Sequence, residues 1–186
     1  ATSTFDCEFG FSCMGYEISG GLGAKMADPS RDVIVMVGDG SYLMMNSDIY
    51  SSVLTGHKLI VVVCDNGGFA VIDRLQRAKG IPSFNNQLED CRRVGELVRV
   101  DFAKHAEAMG AIGIRARGIG ELEEAFRRAK AADRTTVIHV EVQPHDWTEG
   151  NGAWWECGTP EVSDRPAVQE AFARHRTGKA RQRVGV

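Results

Sequence analysis

Val33-Ile34-Val35-Met36-Val37-Gly38-Asp39-Gly40-Ser41 is the stretch on which the fold turns. A continuous apolar, mostly β-branched run predicts a strand covered on both faces, and Gly38-Asp39-Gly40 breaks it abruptly. A second run, Leu59-Ile60-Val61-Val62-Val63-Cys64, stops in the same way at Asp65-Asn66-Gly67-Gly68. Between them Leu43 to Leu54 reads as a helix stopped by Gly56. Upstream, Ile18, Leu22 and Met26 recur at spacing four, which predicts a helix over Met14 to Ala27, ended by Pro29 because proline cannot extend the hydrogen-bond ladder.

Downstream, a helix is expected from Phe69 to Lys79, then a long excursion from Ile81 to Arg99 carrying Phe84-Asn85-Asn86. A short helix over Phe102 to Met109, a strand over Ile112 to Ala116, a charged helix over Glu121 to Ala132 and a strand over Thr136 to Val142 follow. An aromatic loop with Trp147, Trp154 and Trp155 leads to a helix from Ser163 to Arg174, and the basic tail 175–186 is expected to fray. Alternating strands and helices define an α/β protein: a doubly wound, mainly parallel sheet with helices on both faces. With no internal repeat and no linker, residues 1–186 read as a single domain. Its opening lacks an initiator Met and carries specific, glycine-rich sequence from Cys7 onward, so the chain reads as the C-terminal portion of a larger multidomain protein, excised or separately encoded.

The 186 residues carry a net charge of −3, which gives no reason to expect nucleic acid or an anionic membrane as partner. No apolar run approaches the length needed to span a bilayer. Five scattered cysteines without a CxxC pair point to reduced thiols and a cytoplasmic setting, against a zinc ribbon or disulfide scaffold. Glycine is the compositional outlier, 21 of 186 residues, against an average of roughly 7%.

Ligands of such sheets sit outside the carboxyl ends of the strands. Here one strand tip delivers Asp39 and the next delivers Asn66, so a carboxylate and an amide oxygen can converge as hard donors for Mg²⁺ or Ca²⁺. One backbone carbonyl from the tight Gly67-Gly68 turn offers a third ligand. Gly38 and Gly40 allow close approach of phosphate groups, and the N–H groups of Gly40 and Ser41 face an anion at the start of the next helix. Each piece alone is ordinary turn chemistry; the combination carries the reading.

Gly38-Asp39-Gly40, then residues 41–65, then Asn66 resembles the diphosphate-binding motif of thiamine diphosphate enzymes. The preceding Phe11-Ser12-Cys13-Met14-Gly15-Tyr16 looks like the aminopyrimidine-holding segment of the acetolactate synthase-like members. The resemblance implies thiamine diphosphate and Mg²⁺ as cofactors. It implies Ser12, Met14, Gly38, Asp39, Gly40, Ser41, Asn66 and Gly68 as cofactor-binding residues, with Asp39, Asn66 and the Gly68 carbonyl on the metal. Met14 would be the apolar wedge that bends the cofactor. The glycines Gly20, Gly21 and Gly23 read as close-packing positions within the helix rather than a phosphate loop.

Within the family, VMVGDGSYLMMNSDI, CDNGGFAVIDRLQ and the closing WWECGTPEVSDRPAVQEA resemble the hydrolases that open a trihydroxycyclohexane-1,2-dione ring in myo-inositol breakdown. That likeness implies hydrolytic C–C cleavage of a small polar cyclic diketone, with an acetolactate synthase-like carboligase or decarboxylase of 2-oxo acids as the alternative. A non-catalytic diphosphate-binding module is the third reading. Family members take their activating glutamate from a pyrimidine-binding domain of a neighbouring subunit, so no catalytic residue is assigned in this chain, and a homo-oligomer, dimer or tetramer, is implied. Arg74, Asn85, Asn86, Trp154 and Trp155 are weaker candidates for substrate contact. No histidine receives a catalytic role; His139, alternating within a strand, reads as a core or interface residue.

Overall fold

The computed structural model describes residues 5–7, 12–91, 95–146 and 158–182. Its elements run α1 (Tyr16–Ala27), β1 (Ile34–Gly38), α2 (Asp39–Met44), α3 (Ser47–Thr55), β2 (Ile60–Asp65), α4 (Ala70–Ala78), α5 (Phe102–Ala108), β3 (Ile112–Ala116), α6 (Ile119–Ala131), β4 (Thr136–Glu141) and α7 (Pro166–Ala180). They fall into two compact units, residues 1–66 with 98–142, and residues 67–97 with 143–186.

The first unit holds one sheet in the order β1-β2-β4-β3, with every neighbouring pair parallel. Parallel strands need crossovers, and α2–α3 and α6 supply those of β1 to β2 and β3 to β4. On one face Ile18, Leu22, Ile49, Phe102 and Ala106 pack against Val35, Val37, Val61, Val63 and Val137. On the other, Ala125 and Ala129 of α6 pack against Ile60, Val62 and Ile138. Helices therefore cover both faces, and the continuous apolar runs of β2 and β4 follow from that double burial.

Strand β1 departs from the expectation of cover on both faces. Val35 and Val37 are buried, but Ile34 and Met36 are 51% and 68% exposed. It is one of the two edge strands, and α6 lies over β2, β3 and β4. Helix α1 begins at Tyr16 rather than Met14, because Gly15 takes a left-handed conformation (φ 95°) that cannot continue a helix. Its apolar stripe also stops short of Met26, which is exposed; Lys25 is buried instead, its ammonium donating to the carbonyls of Pro29 and Arg31 at 2.9 and 2.6 Å.

The single helix expected over Leu43 to Leu54 is two. Helix α2 starts earlier, at Asp39, and ends at Met44, because the backbone of Met45 (φ −138°, ψ 38°) leaves the helical region. Asn46 begins the next helix and donates its side-chain amide to the Leu43 carbonyl, a local bond that competes with the helical ladder.

Asp101 caps α5 by accepting from the Lys104 N–H at 3.1 Å. That backbone hydrogen bond holds its carboxyl below the ordinary carboxylate range, with partial burial opposing. A lowered folded pKa gives stability that is present above the unfolded value and lost as pH falls through the folded one. Asp101→Ala is therefore expected to cost about 1 kcal/mol at neutral pH. The difference from the parent should shrink below about pH 4, read from urea unfolding midpoints at both pH values.

In the second unit, α4 is tied to the chain after it. Asn86 donates its amide to Gln76 Oε1 at 2.7 Å, and its carbonyl accepts from Phe69 N at 2.7 Å. Gly80 (φ 75°) closes on the Ala167 backbone, where an added Cβ would lie 2.5 Å from the carbonyl. Helix α7 runs to Ala180, past the expected end at Arg174, with Pro166 in its first turn. Among the described residues no helix is long and apolar enough to cross a membrane.

Candidate functional site

Register fixes where the two interrupted strands end. Gly38 of β1 lies opposite Cys64 of β2, so Asp39 follows one tip while Asp65 and Asn66 follow the other. Gly38 has extended backbone (φ −74°, ψ 159°) and forms the N-cap of α2, so the chain turns from strand to helix within one residue. Asp39 occupies the first helical position with its side chain buried, 4% exposed. Its Oδ1 accepts a hydrogen bond from the Asn66 backbone N–H at 3.2 Å. Carboxylate and Asn66 thus meet across the two strand tips.

Around this contact Gly40 and Ser41 are buried in α2, and a Cβ placed on Gly38 would meet no atom within 4 Å. Helix α2 spans 6 residues, so its macrodipole adds little to any anion there. Among the described residues no group of three or more His, Cys, Asp or Glu could hold a metal. A cation near Asp39 would depend on mixed oxygen donors: one carboxylate, an amide, and backbone carbonyls or ligand oxygens.

Of the aminopyrimidine-side candidates, Ser12 is exposed with φ 50°, and Met14 is half-buried just before α1. The Gly15 that follows packs on the end of α2: a Cβ there would lie 2.4 Å from Met45 Cγ and 2.9 Å from its Cβ. Its N–H donates to Glu17 Oε2 at 3.0 Å. Gly21 sits against Val35 and Gly20 against the Tyr16 ring, as close-packing glycines do, whereas Gly23 has open space around it.

Gly68 belongs to the second unit. Its φ of 144° favours glycine, it bridges to Gln87, and a Cβ would lie 2.4 Å from the Asn86 carbonyl oxygen. Asn86 is engaged with Gln76 and Phe69, while Asn85 is exposed with φ 55°. Trp147, Trp154 and Trp155 lie outside the described residues.

Sequence reasoning missed one feature. His139 of β4 is buried, 1% exposed, and its Nε2 lies 3.0 Å from Asp65 Oδ2. Nothing in TVIHVEV distinguishes this histidine from a core residue; the two pair because β2 and β4 are neighbours in the register Val63↔His139 and Asp65↔Glu141. The four described cysteines are free thiols, and burial pushes that of Cys64 up.

Residues 1–140 match the family described as thiamine pyrophosphate enzyme, C-terminal TPP binding domain, and the chain belongs to that family. It is 39% identical over 175 residues to a Bacillus cereus protein named 3D-(3,5/4)-trihydroxycyclohexane-1,2-dione hydrolase 2, covering 91% of this chain and 27% of the relative. A Bacillus licheniformis protein named 3D-(3,5/4)-trihydroxycyclohexane-1,2-dione hydrolase is 40% identical over 170 residues, covering 91% of this chain and 26% of its own. The chain thus spans about a quarter of the length of these relatives. Among solved structures it resembles a thiamine diphosphate-dependent 4-hydroxybenzoylformate decarboxylase of Rhodococcus jostii, with TM-score 0.58 and 22% identity over 70% of this chain and 23% of that one. A benzoylformate decarboxylase of Polynucleobacter necessarius aligns with TM-score 0.61 and 22% identity over 72% of this chain and 24% of its own. At that identity the likeness establishes the shared α/β fold.

Proposed function

We propose that this chain is the thiamine diphosphate- and Mg²⁺-binding part of a C–C hydrolase that opens a trihydroxycyclohexane-1,2-dione ring in myo-inositol breakdown. The observation that carries the cofactor reading is the approach of Asp39 Oδ1 to Asn66 N at two neighbouring strand tips, inside a chain of this family. The donors suit the ion: Mg²⁺ prefers hard oxygens and is held by few protein groups together with phosphate oxygens. Asp39 and the Asn66 side chain would supply the share of this unit. The room beside Gly38 suits close approach of a diphosphate, and Gly40 and Ser41 would donate backbone N–H groups to it. Ser12 and Met14 would meet the aminopyrimidine end.

Bound thiamine diphosphate supplies an electron sink for cleaving a bond next to a carbonyl. The role of this chain's residues is to bind and orient it. The activating glutamate and the rest of the pocket would come from a pyrimidine-binding domain of a neighbouring subunit in a cytoplasmic homo-oligomer.

The names of the relatives at 39% and 40% identity support this choice of substrate. An acetolactate synthase-like enzyme would use the same cofactor machinery on 2-oxo acids, so substrate turnover separates the two. The complete enzyme, with Mg²⁺ and thiamine diphosphate, is expected to consume the cyclic dione at least about 100-fold faster than pyruvate, about 2.7 kcal/mol of discrimination. Faster turnover of pyruvate would overturn the hydrolase assignment and leave the cofactor site intact.

A further inference from the structure

The Asp65–His139 pair belongs to a ring of contacts around the strand tips, closed through the backbone from Asp39 to Tyr42 in α2 and from Asp65 to Asn66 at the end of β2. Tyr42 lies on α2, three residues after Asp39, and is fully buried. Its ring packs edge-on against Phe102 at 5.2 Å between centroids, and Phe102 packs edge-on against His139, also at 5.2 Å. Tyr42 Oη is additionally joined to His105 Nδ1 at 3.0 Å, which fixes the phenol at the far side of the stack. His139 Nε2 meets Asp65 Oδ2 at 3.0 Å, the next residue is Asn66, and the Asn66 N–H returns to Asp39 Oδ1 at 3.2 Å. Starting at Asp39, the path runs through Tyr42, Phe102, His139, Asp65 and Asn66 back to Asp39.

Two features set this ring apart from ordinary core packing. A buried carboxylate is costly, and a β-branched apolar residue would fill position 65 of this strand as positions 61–63 are filled. His139 also leaves its Nδ1 buried without a hydrogen-bond partner, so its polarity is committed to Asp65 alone. The contact with Asp65 and the edge-on packing against Phe102 together fix the orientation of the imidazole.

We propose that Asp65 and His139 are positioning residues: their hydrogen bond orients the β2 tip so that Asn66 faces Asp39 in liganding geometry. The proposal deepens the reading of Asp39 and Asn66 as the metal- and diphosphate-holding pair and rests on it. Groups that orient metal ligands commonly change metal affinity by about 10- to 100-fold when removed, without touching the metal.

The test is calorimetric binding of thiamine diphosphate with Mg²⁺ to the complete enzyme, alongside thermal unfolding without metal. His139→Leu removes the donor; His139→Gln keeps an N–H at the place of Nε2 while also losing the ring against Phe102. Both variants are expected to lower the metal-free Tm alike. His139→Leu is expected to weaken Mg²⁺-dependent binding about 10-fold, with His139→Gln within about 3-fold of the parent. If both bind as tightly as the parent and differ only in Tm, the pair is structural and the proposal is overturned. Should His139→Leu fail to fold, Asp65→Asn carries the comparison: it keeps the shape and weakens the acceptor, and parent-like affinity would again overturn it. Asp39→Ala in the same series separates the two levels. Undiminished binding there sinks the metal-site reading itself, whereas lost binding there with parent-like His139 variants sinks this proposal alone.

Discussion

Asp39→Ala in the complete enzyme is expected to weaken Mg²⁺-dependent thiamine diphosphate binding by at least about 100-fold, or about 2.7 kcal/mol. Mg²⁺ takes few protein ligands, so the loss of its one charged protein donor removes the largest electrostatic share of the site. The same substitution also removes the part-buried hydrogen bond from the Asn66 N–H to Oδ1, a loss of about 1 kcal/mol in stability. The two effects part in Asp39→Asn, which keeps an oxygen for that N–H and deletes the charge. Calorimetric titration of cofactor with and without Mg²⁺ should find Asp39→Asn folded as well as the parent yet deficient in the metal-dependent component. An unchanged titration in both variants would remove Asp39 from the metal.

The second large effect lies in the packing that supports the site. Gly113 of β3 lies under α5: a Cβ there would sit 2.2 Å from the Ala103 carbonyl oxygen, 2.6 Å from its carbon and 2.9 Å from its Cα. These are backbone atoms, so no rotamer change relieves the overlap and α5 must lift from the sheet. Gly113→Ala is expected to destabilise by about 3 kcal/mol, the upper range for overpacking. For a chain of this size that lowers Tm by roughly 6–12 °C. Because Phe102 on α5 touches both Tyr42 and His139, the displacement also reaches the ring around the strand tips. Gly120→Ala is the control: nothing lies within 4 Å of its added Cβ on α6, and a stabilisation of about 0.5–1 kcal/mol is expected from helix propensity. Thermal unfolding of the pair of variants checks both; equal Tm values would mean that α5 does not rest on β3 as described.

How much of this was legible in the sequence depends on whether the signal is local. The runs around Val35, Val61 and Val137 place the strands within a residue or two; in β2 and β4 double burial writes itself as continuous apolar sequence, whereas β1 carries the same pattern with one face exposed. The abrupt glycine-rich stops placed the ends of β1 and β2, and with them Asp39 and Asn66. The break at Met45 was not legible, since Leu43 to Leu54 is continuous in helical pattern and the interruption depends on Asn46 turning back to the Leu43 carbonyl. The left-handed Gly15 was hidden for the same reason: its requirement comes from Met45, thirty residues away in sequence. Exposure of Ile34 and Met36 reflects the edge position of β1, which apolar patterning cannot report. The Asp65–His139 pair needs the sheet order, with β4 inserted between β2 and β3, before the two residues can be recognised as neighbours.

The most direct measurement of the central claim uses Mn²⁺ in place of Mg²⁺ in the complete enzyme, read by electron-nuclear double resonance with thiamine diphosphate present. One Mn²⁺ per chain is expected, bound tightly when the cofactor is added, with ³¹P hyperfine coupling from the diphosphate and loss of that signal in Asn66→Ala. A bound Mn²⁺ with no ³¹P coupling, or a coupled ion undisturbed by removing the Asn66 amide, would contradict it.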